Sequence, residues 1–154
     1  MKFSIVTVTY NGGKTLCDTI QSVLSQTYPF IEYIIVDGLS TDNTVAIIKE
    51  YEACFNGGMR WISEKDKGLY DAMNKGFRMA TGDVIGIINS DDLLADPTAV
   101  EKVMAAFKEH PDADAVYADL FYVAQNDTNK LVRHWISGKQ RPFRYGWHPA
   151  HPTF

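Results

Sequence analysis

The amino-acid sequence predicts an α/β chain built on a mostly parallel sheet flanked by helices, followed by a β-hairpin. Three observations carry that prediction. Short apolar or β-branched runs at Phe3–Thr9, Ile31–Val36, Met59–Ser63 and Val84–Ile88 alternate with stretches of helical periodicity, the order expected of strand–helix–strand crossovers. Each run ends in a polar loop, which is where a parallel sheet places its ligand sites. From Ala115 the alternation gives way to two strand-like runs, Ala115–Ala124 and Leu131–Ile136, separated by Gln125–Lys130, the signal of a hairpin.

Taken in order, Phe3–Thr9 is rich in β-branched residues and runs into Tyr10-Asn11-Gly12-Gly13, a turn that can open a helix. Leu16, Ile20, Val23 and Leu24 then recur at helical spacing, with the helix expected to close near Tyr28-Pro29. Ile31–Val36 is a continuous apolar strand ending in Asp37-Gly38-Leu39-Ser40-Thr41-Asp42. Ser40, Thr41 or Asp42 can cap the helix that bears Val45, Ile48, Tyr51 and Phe55. Gly57-Gly58 breaks that helix before the short strand Met59–Ser63, and Glu64–Gly68 is a charged loop. Tyr70, Met73, Phe77 and Ala80 are expected along the buried face of a third helix, with Asp71 and Lys75 as an i, i+4 pair. Asp96 and Pro97 read as N-cap and first residue of a fourth helix that turns Val100, Val103, Met104 and Phe107 inward.

A length of 154 residues suits one domain, residues 1–154, with a sizeable core. The 45% hydrophobic and 22% charged content is ordinary for a globular chain and argues against disorder. With 15 Lys plus Arg against 19 Asp plus Glu the net charge is -4, and no basic stripe tracks a nucleic-acid backbone. Cys17 and Cys54 match neither a metal knuckle nor a CxxC pair and read as buried, reduced thiols of a cytosolic protein. Met1–Tyr10 lacks a cleavage site and is a strand, not a signal peptide. No apolar stretch approaches the roughly 20 residues of a bilayer span.

The chemistry is concentrated in Gly82–Pro97, GDVIGIINSDDLLADP. Its apolar run reads as a buried strand that delivers two adjacent carboxylates, Asp91 and Asp92, into a polar loop. Such a pair repels itself, and a divalent cation with hard oxygen ligands offsets the repulsion; a solvated turn is the competing reading. The sheet rule brings this loop together with Thr9–Asn11, Asp37–Asp42 and Glu64–Gly68. Because GxGxxG and GxxxxGK[ST] cradles are missing, a nucleotide bound there would need its phosphates neutralised by another means, and a metal held by Asp91 and Asp92 serves.

Five ordered blocks, FSIVTVTYN, IIVDGLSTDNT, EKDKGLYDAMNKGFRMATGDVIGIINSDD, YADL and GWHPAHPTF, resemble the family 2 glycosyltransferases of the GT-A (Rossmann-like) fold. The resemblance implies an inverting transferase that moves a sugar from a nucleotide-sugar donor, UDP-sugar favoured and GDP-sugar the alternative, to a hydroxyl of a saccharide or lipid-linked acceptor in surface polysaccharide or glycolipid synthesis. Thr9, Tyr10 and Asn11 would line the donor's base pocket, and Asp37 resembles the acid on the base edge, with Ser40 beside it. Lys67, Gly68, Asp71 and Asn74 resemble the block along ribose and sugar. Asn89, Ser90, Asp91 and Asp92 stand at the family's DxD-type motif, with Asn89 where an Asp often begins it; Mn2+ or Mg2+ would rest mainly on Asp92, with Asp91 assisting. The acid that activates the acceptor is expected beyond Phe154, so the native chain is expected to be longer. The resemblance also implies action in the cytoplasm, with peripheral association at the inner face of a membrane.

Each residue has a plainer reading. Asp37 can tighten the turn at Gly38, Lys67 can pair with Asp66 or Glu64, and Asp71 and Asn74 can be a wet helix face. Asp119 can face the sugar or start the hairpin. His148 and His151 can make ordinary hydrogen bonds, and Trp135, Phe143, Tyr145 and Trp147 can stack on an acceptor or serve as core. Two other functions also stand: a donor- and metal-binding fragment that does not transfer sugar, and another nucleotide-binding α/β domain. A nucleotidyltransferase wants a Gly- and Arg-rich loop near the start, and a receiver domain is at odds with the hairpin.

Overall fold

β1 (Phe3–Thr9) is the spine of the computed structural model, which describes residues 1–139, 144, 148–150 and 153. Its partners are β2 (Ile31–Asp37) and β4 (Val84–Ile87), and β2 in turn pairs with β3 (Met59–Ser63). All three pairings are parallel, giving the order β3-β2-β1-β4. Between the strands run α1 (Leu16–Leu24), α2 (Thr44–Glu52), a 3-10 turn at Ala53–Phe55 and α3 (Leu69–Met79); α4 (Ala99–Glu109) follows β4.

Alternation along β1 and β2 sorts the core onto two faces. Phe3, Ile5, Tyr33 and Ile35 pack with Leu16, Ile20 and Val23 of α1, Ile48 of α2, and Val100 and Met104 of α4. Val6, Val8, Ile34 and Val36 meet Ala72 and Met73 of α3 on the other face. Each fully buried Ile or Leu here contributes roughly 1.5–3 kcal/mol. Glu32 shares the α3 face near the amino ends of the strands and accepts hydrogen bonds from Ser4 Oγ at 2.6 Å and Thr81 N at 2.8 Å.

The contacts divide the chain into two units, residues 1–105 and 106–154. The second contains the antiparallel hairpin β5 (Leu120–Ala124) and β6 (Asp127–Trp135). Asp119 ties its base: Oδ1 accepts from Ser137 N at 2.9 Å and Oδ2 lies 3.3 Å from His134 Nε2.

Several sequence expectations need correction. The helix face of α3 is Ala72, Met73 and Gly76, while Tyr70 is 75% and Phe77 37% exposed. Gly76 is the reason: a Cβ there would stand 2.3 Å from Val6 Cγ1, so the helix approaches β1 across its smallest residue. Gly76→Ala, which would gain about 1 kcal/mol of helix propensity on an open face, is therefore expected to lose about 1–3 kcal/mol by overpacking, read as a lowered urea midpoint. The run Val84–Ile88 is half-buried, not buried, because β4 pairs with β1 alone among the described residues and leaves Ile85 44% exposed.

Helix α1 stops at Leu24, well before Tyr28-Pro29, as Thr27 N turns away to Pro97 O at 2.8 Å. Pro97 precedes the fourth helix, which starts at Ala99; the Asp96 carboxylate caps Thr98 N at 2.8 Å. Lys102 and Thr98 hold that carboxylate down to about 2. Asp127–Lys130, expected in the hairpin loop, belong to β6, and β5 begins at Leu120, five residues later than expected. Cys17 is half-buried in α1, whereas Cys54 is exposed in the 3-10 turn.

Candidate active site

The carboxyl ends of three strands finish level. Thr9 is the register partner of Asp37, and Asp37 of Ser63, so the loops that follow start from one row. Gly38 N donates to Thr9 O at 2.9 Å and Glu64 N to Asp37 O at 3.0 Å, which extends the ladder one step into the loops.

Side chains then lace the first loop to the second. Asn11, held at φ 52, donates its N–H to Ser40 Oγ at 2.7 Å, and its Oδ1 accepts from Thr41 N at 2.8 Å. Asp42 Oδ2 accepts from Gly13 N at 3.0 Å, while Oδ1 accepts from Thr44 N at 3.0 Å. Asp42 thereby caps α2, and its carboxyl is held low, first by the Thr44 hydroxyl and then by the Thr44 and Gly13 N–H groups. Asp37 is 0% exposed. Its carboxylate accepts from the Ser40 hydroxyl, from Ser40 N at 3.1 Å and from Ser63 Oγ at 2.6 Å.

The third loop closes on the second at Gly38. A Cβ on Gly38 would lie 2.6 Å from Asp66 Oδ2 and 3.5 Å from Tyr10 Cδ2, so the Tyr10 ring and the Asp66 carboxylate flank the same bare backbone. Asp66 Oδ1 accepts from Gly68 N at 2.9 Å, and Gly68 sits at φ 116, a left-handed value that favours glycine. Asp71 Oδ2 accepts from Lys67 N at 3.0 Å and lies 3.9 Å from Lys75 Nζ, which also reaches Glu64 at 2.9 Å.

The fourth loop closes on the first. Thr15 Oγ1 donates to Ser90 O at 2.8 Å. A Cβ on Gly12 would stand 2.4 Å from Thr9 Oγ1 and 3.5 Å from Ser90 Oγ. Thr9 Oγ1 is buried with no hydrogen-bond partner among the described residues, an orphan that a bound polar group would satisfy. At the end of β4, Asn89 Nδ2 donates to Asp92 Oδ2 at 2.7 Å and Asp92 N to Asn89 O at 3.1 Å, so the turn is clamped twice. Asp92 is half-buried and Asp91 exposed.

The four loops therefore converge as the sheet rule requires, with Thr9, Tyr10, Asn11, Asp37, Ser40, Gly68, Ser90 and Asp92 in the contacts that join or shape them. The Lys67 side chain and Asn74 stay outside that lacing, both exposed. His151, Phe143, Tyr145 and Trp147 lie outside the described residues, as does most of the GWHPAHPTF block. Three residues that the sequence did not single out stand inside the site: Gly12, Gly38 and Asp66. Asp66 and Gly68 fall in the charged loop Glu64–Gly68, but only the fold brings Asp66 over Gly38.

A divalent ion suits the donor set at the fourth loop, which is all hard oxygen. Among the described residues no cluster of three or more His, Cys, Asp or Glu could hold a metal. Asp92 and Asp91 would supply one or two carboxylates, the number typical of an ion that draws its other ligands from phosphates and water.

Comparison with known proteins agrees with this geometry. A PGL/p-HBAD biosynthesis glycosyltransferase of Mycobacterium bovis (strain BCG / Pasteur 1173P2) is 36% identical over 126 residues, 80% of this chain and 48% of that protein. The uncharacterized glycosyltransferase Rv1514c of Mycobacterium tuberculosis (strain ATCC 25618 / H37Rv) is 38% identical over 104 residues, 67% of this chain and 38% of that one. The chain thus spans less than half the length of these relatives. Among solved structures, S. aureus TarS 1-349 in complex with UDP-GlcNAc has a TM-score of 0.67 at 24% identity, over 81% of this chain and 35% of that chain. Mannosyltransferase PcManGT from Pyrobaculum calidifontis, in complex with GDP-Man and Mn2+, has a TM-score of 0.66 at 20% identity, over 83% and 37%. These likenesses establish the GT-A type of α/β fold. The sequence model described as "Glycosyl transferase family 2" matches residues 4–153, and with four convergent loops behind that match, this chain belongs to glycosyl transferase family 2.

Proposed function

We propose that the chain binds a nucleoside diphosphate sugar, UDP-sugar in first place and GDP-sugar second, and serves an inverting transfer to a hydroxyl of a saccharide or lipid-linked acceptor. The observation that carries this reading is the closure of four loops around Thr9, Gly12, Gly38 and Asp92 at the carboxyl edge of the sheet. In an inverting transfer the acceptor oxygen attacks the anomeric carbon from the face opposite the departing diphosphate, and the bond to that diphosphate breaks as the new one forms. The chain's own residues position the donor: Tyr10 offers an exposed ring to the base, Thr9 Oγ1 an unsatisfied hydroxyl, and Asn11 with Ser40 holds the first two loops in register. Lys67, Gly68, Asp71 and Asn74 border the ribose and sugar. Asp92, steadied by Asn89, and Asp91 would hold Mn2+ or Mg2+, which supplies neutralisation of the charge that grows on the leaving group.

The relatives' names and the ligands of TarS and PcManGT support this reading. We place the reaction in the cytoplasm at a membrane face. Two unpaired cysteines fit a reducing compartment, and no helix among the described residues is long and apolar enough to cross a membrane. A second reading of the same four loops is donor and metal binding without transfer. Calorimetry with UDP and GDP, with and without Mn2+, tests the shared core of both readings. Binding that tightens on adding Mn2+ is expected, and its absence for every nucleoside diphosphate refutes them. Sugar transfer to a saccharide acceptor by the purified chain then favours the first reading over the second.

A further inference from the structure

We infer that Asp66, not Asp37, is the acid that selects the donor base, and that the bare backbone at Gly38 is what admits it; the inference rests on the donor-binding reading above. Asp37 is ill placed for the task. It is 0% exposed, and the Ser40 hydroxyl, Ser40 N–H and Ser63 hydroxyl already donate to its carboxylate. A base N–H would have to reach a carboxylate that the fold leaves without solvent access, past the Ser40 and Ser63 donors already on it. Its work is to hold the second loop and the end of β3 together beneath the pocket.

Asp66 has the opposite character. It is half-buried, and its Oδ1 is tied to Gly68 N at 2.9 Å, which fixes the carboxylate plane. Oδ2 points over Gly38, 2.6 Å from where a Cβ would be, and the Tyr10 ring edge lies 3.5 Å from that same point. Any side chain at position 38 would drive the carboxylate away. The chain therefore brings a 65% exposed aromatic ring and a carboxylate tethered through its other oxygen to the same bare glycine. A flat ring stacks on the first, and a ring N–H donates to the second. Uracil and guanine carry such an N–H. Cytosine and adenine present a lone pair at the corresponding ring nitrogen, which a carboxylate repels. The ligand class is thus a uridine or guanosine diphosphate.

Calorimetry in Mn2+ on the wild type, Asp66→Asn and Gly38→Ala, each with UDP, GDP and CDP, tests this. The wild type is expected to prefer UDP or GDP to CDP by at least about tenfold, as for a hydrogen bond to a charged group. In Asp66→Asn the amide oxygen can keep Gly68 N–H while the NH2 faces the base. Affinity for the preferred nucleotide is expected to fall by roughly 10–100-fold, CDP to bind as well or better, and the preference to disappear or invert. Gly38→Ala should weaken the preferred nucleotide similarly by displacing the carboxylate. A change in base preference is something that mere loss of fold does not produce, and unchanged circular dichroism confirms the comparison. If Asp66→Asn binds with the wild-type preference, the inference is overturned while the donor reading stands. If the wild type binds neither UDP nor GDP, the donor reading falls and the inference with it.

Discussion

Asp92→Ala is expected to abolish the Mn2+-dependent part of nucleoside diphosphate binding, lowering affinity in saturating Mn2+ by on the order of 100-fold. The turn Asn89–Asp92 keeps its own backbone bond, Asp92 N to Asn89 O at 3.1 Å, when the Asp92 carboxylate is removed. What disappears is a carboxylate that Asn89 Nδ2 holds by one oxygen at 2.7 Å. Asp91 is exposed, and Asp91→Ala is expected to cost only about tenfold, because a freely solvated carboxylate gains less from a shared cation. Titrating each variant with UDP at zero and saturating Mn2+ separates the two. An Asp92→Ala protein that keeps the wild-type increment on adding Mn2+ contradicts the assignment.

Glu32→Gln is expected to destabilise the protein by about 3 kcal/mol at pH 7, at the opposite end of the sheet from the site. Burial by itself pushes the Glu32 carboxyl up, but hydrogen bonds from Ser4 Oγ, Thr81 N–H, Lys2 Nζ and Thr81 Oγ1 outweigh it and hold it at about 2 against an ordinary 4.5. The fall from 4.5 to about 2, at 1.36 kcal/mol per pH unit, is the source of that magnitude. Lys2 and Arg60 reach Glu32 at 3.0 and 2.7 Å but are 42% and 44% exposed, so their charges add little.

The sign follows from the folded carboxyl being the stronger acid. The ionised group stabilises the fold fully above about pH 4.5, and that contribution drains away as pH falls toward about 2. Urea unfolding of wild type and Glu32→Gln at pH 7 and at pH 3 should therefore show a gap that narrows at the lower pH. A gap of equal size at both would mean the loss is packing, not charge.

Periodicity was enough to place β1, β2, β3, the helices between them and the hairpin, because strand and helix repeats write themselves into the spacing of apolar residues. The loop row followed from the parallel order alone. Side-chain partners did not follow. Gly76 looks like a weak point in a helix, and only its approach to Val6 makes it the contact surface of α3 and sends Tyr70 and Phe77 outward. The apolar run at Val84 looks fully buried, and only the strand order, in which β4 pairs with β1 alone among the described residues, leaves it half-buried. Composition and local pattern thus determined the α/β class, the four loops and the acidic pair Asp91–Asp92. The tertiary structure decided which donors each acid meets: Asp37 lies buried between Ser40 and Ser63, and Asp66 stands beside Gly38 with Gly68 N–H on its other oxygen. The physical reason is that a carboxylate's role depends on the donors around it, and those donors come from Ser40, Ser63 and Gly68, supplied by two different loops and the end of a strand, which only the folded chain brings into reach.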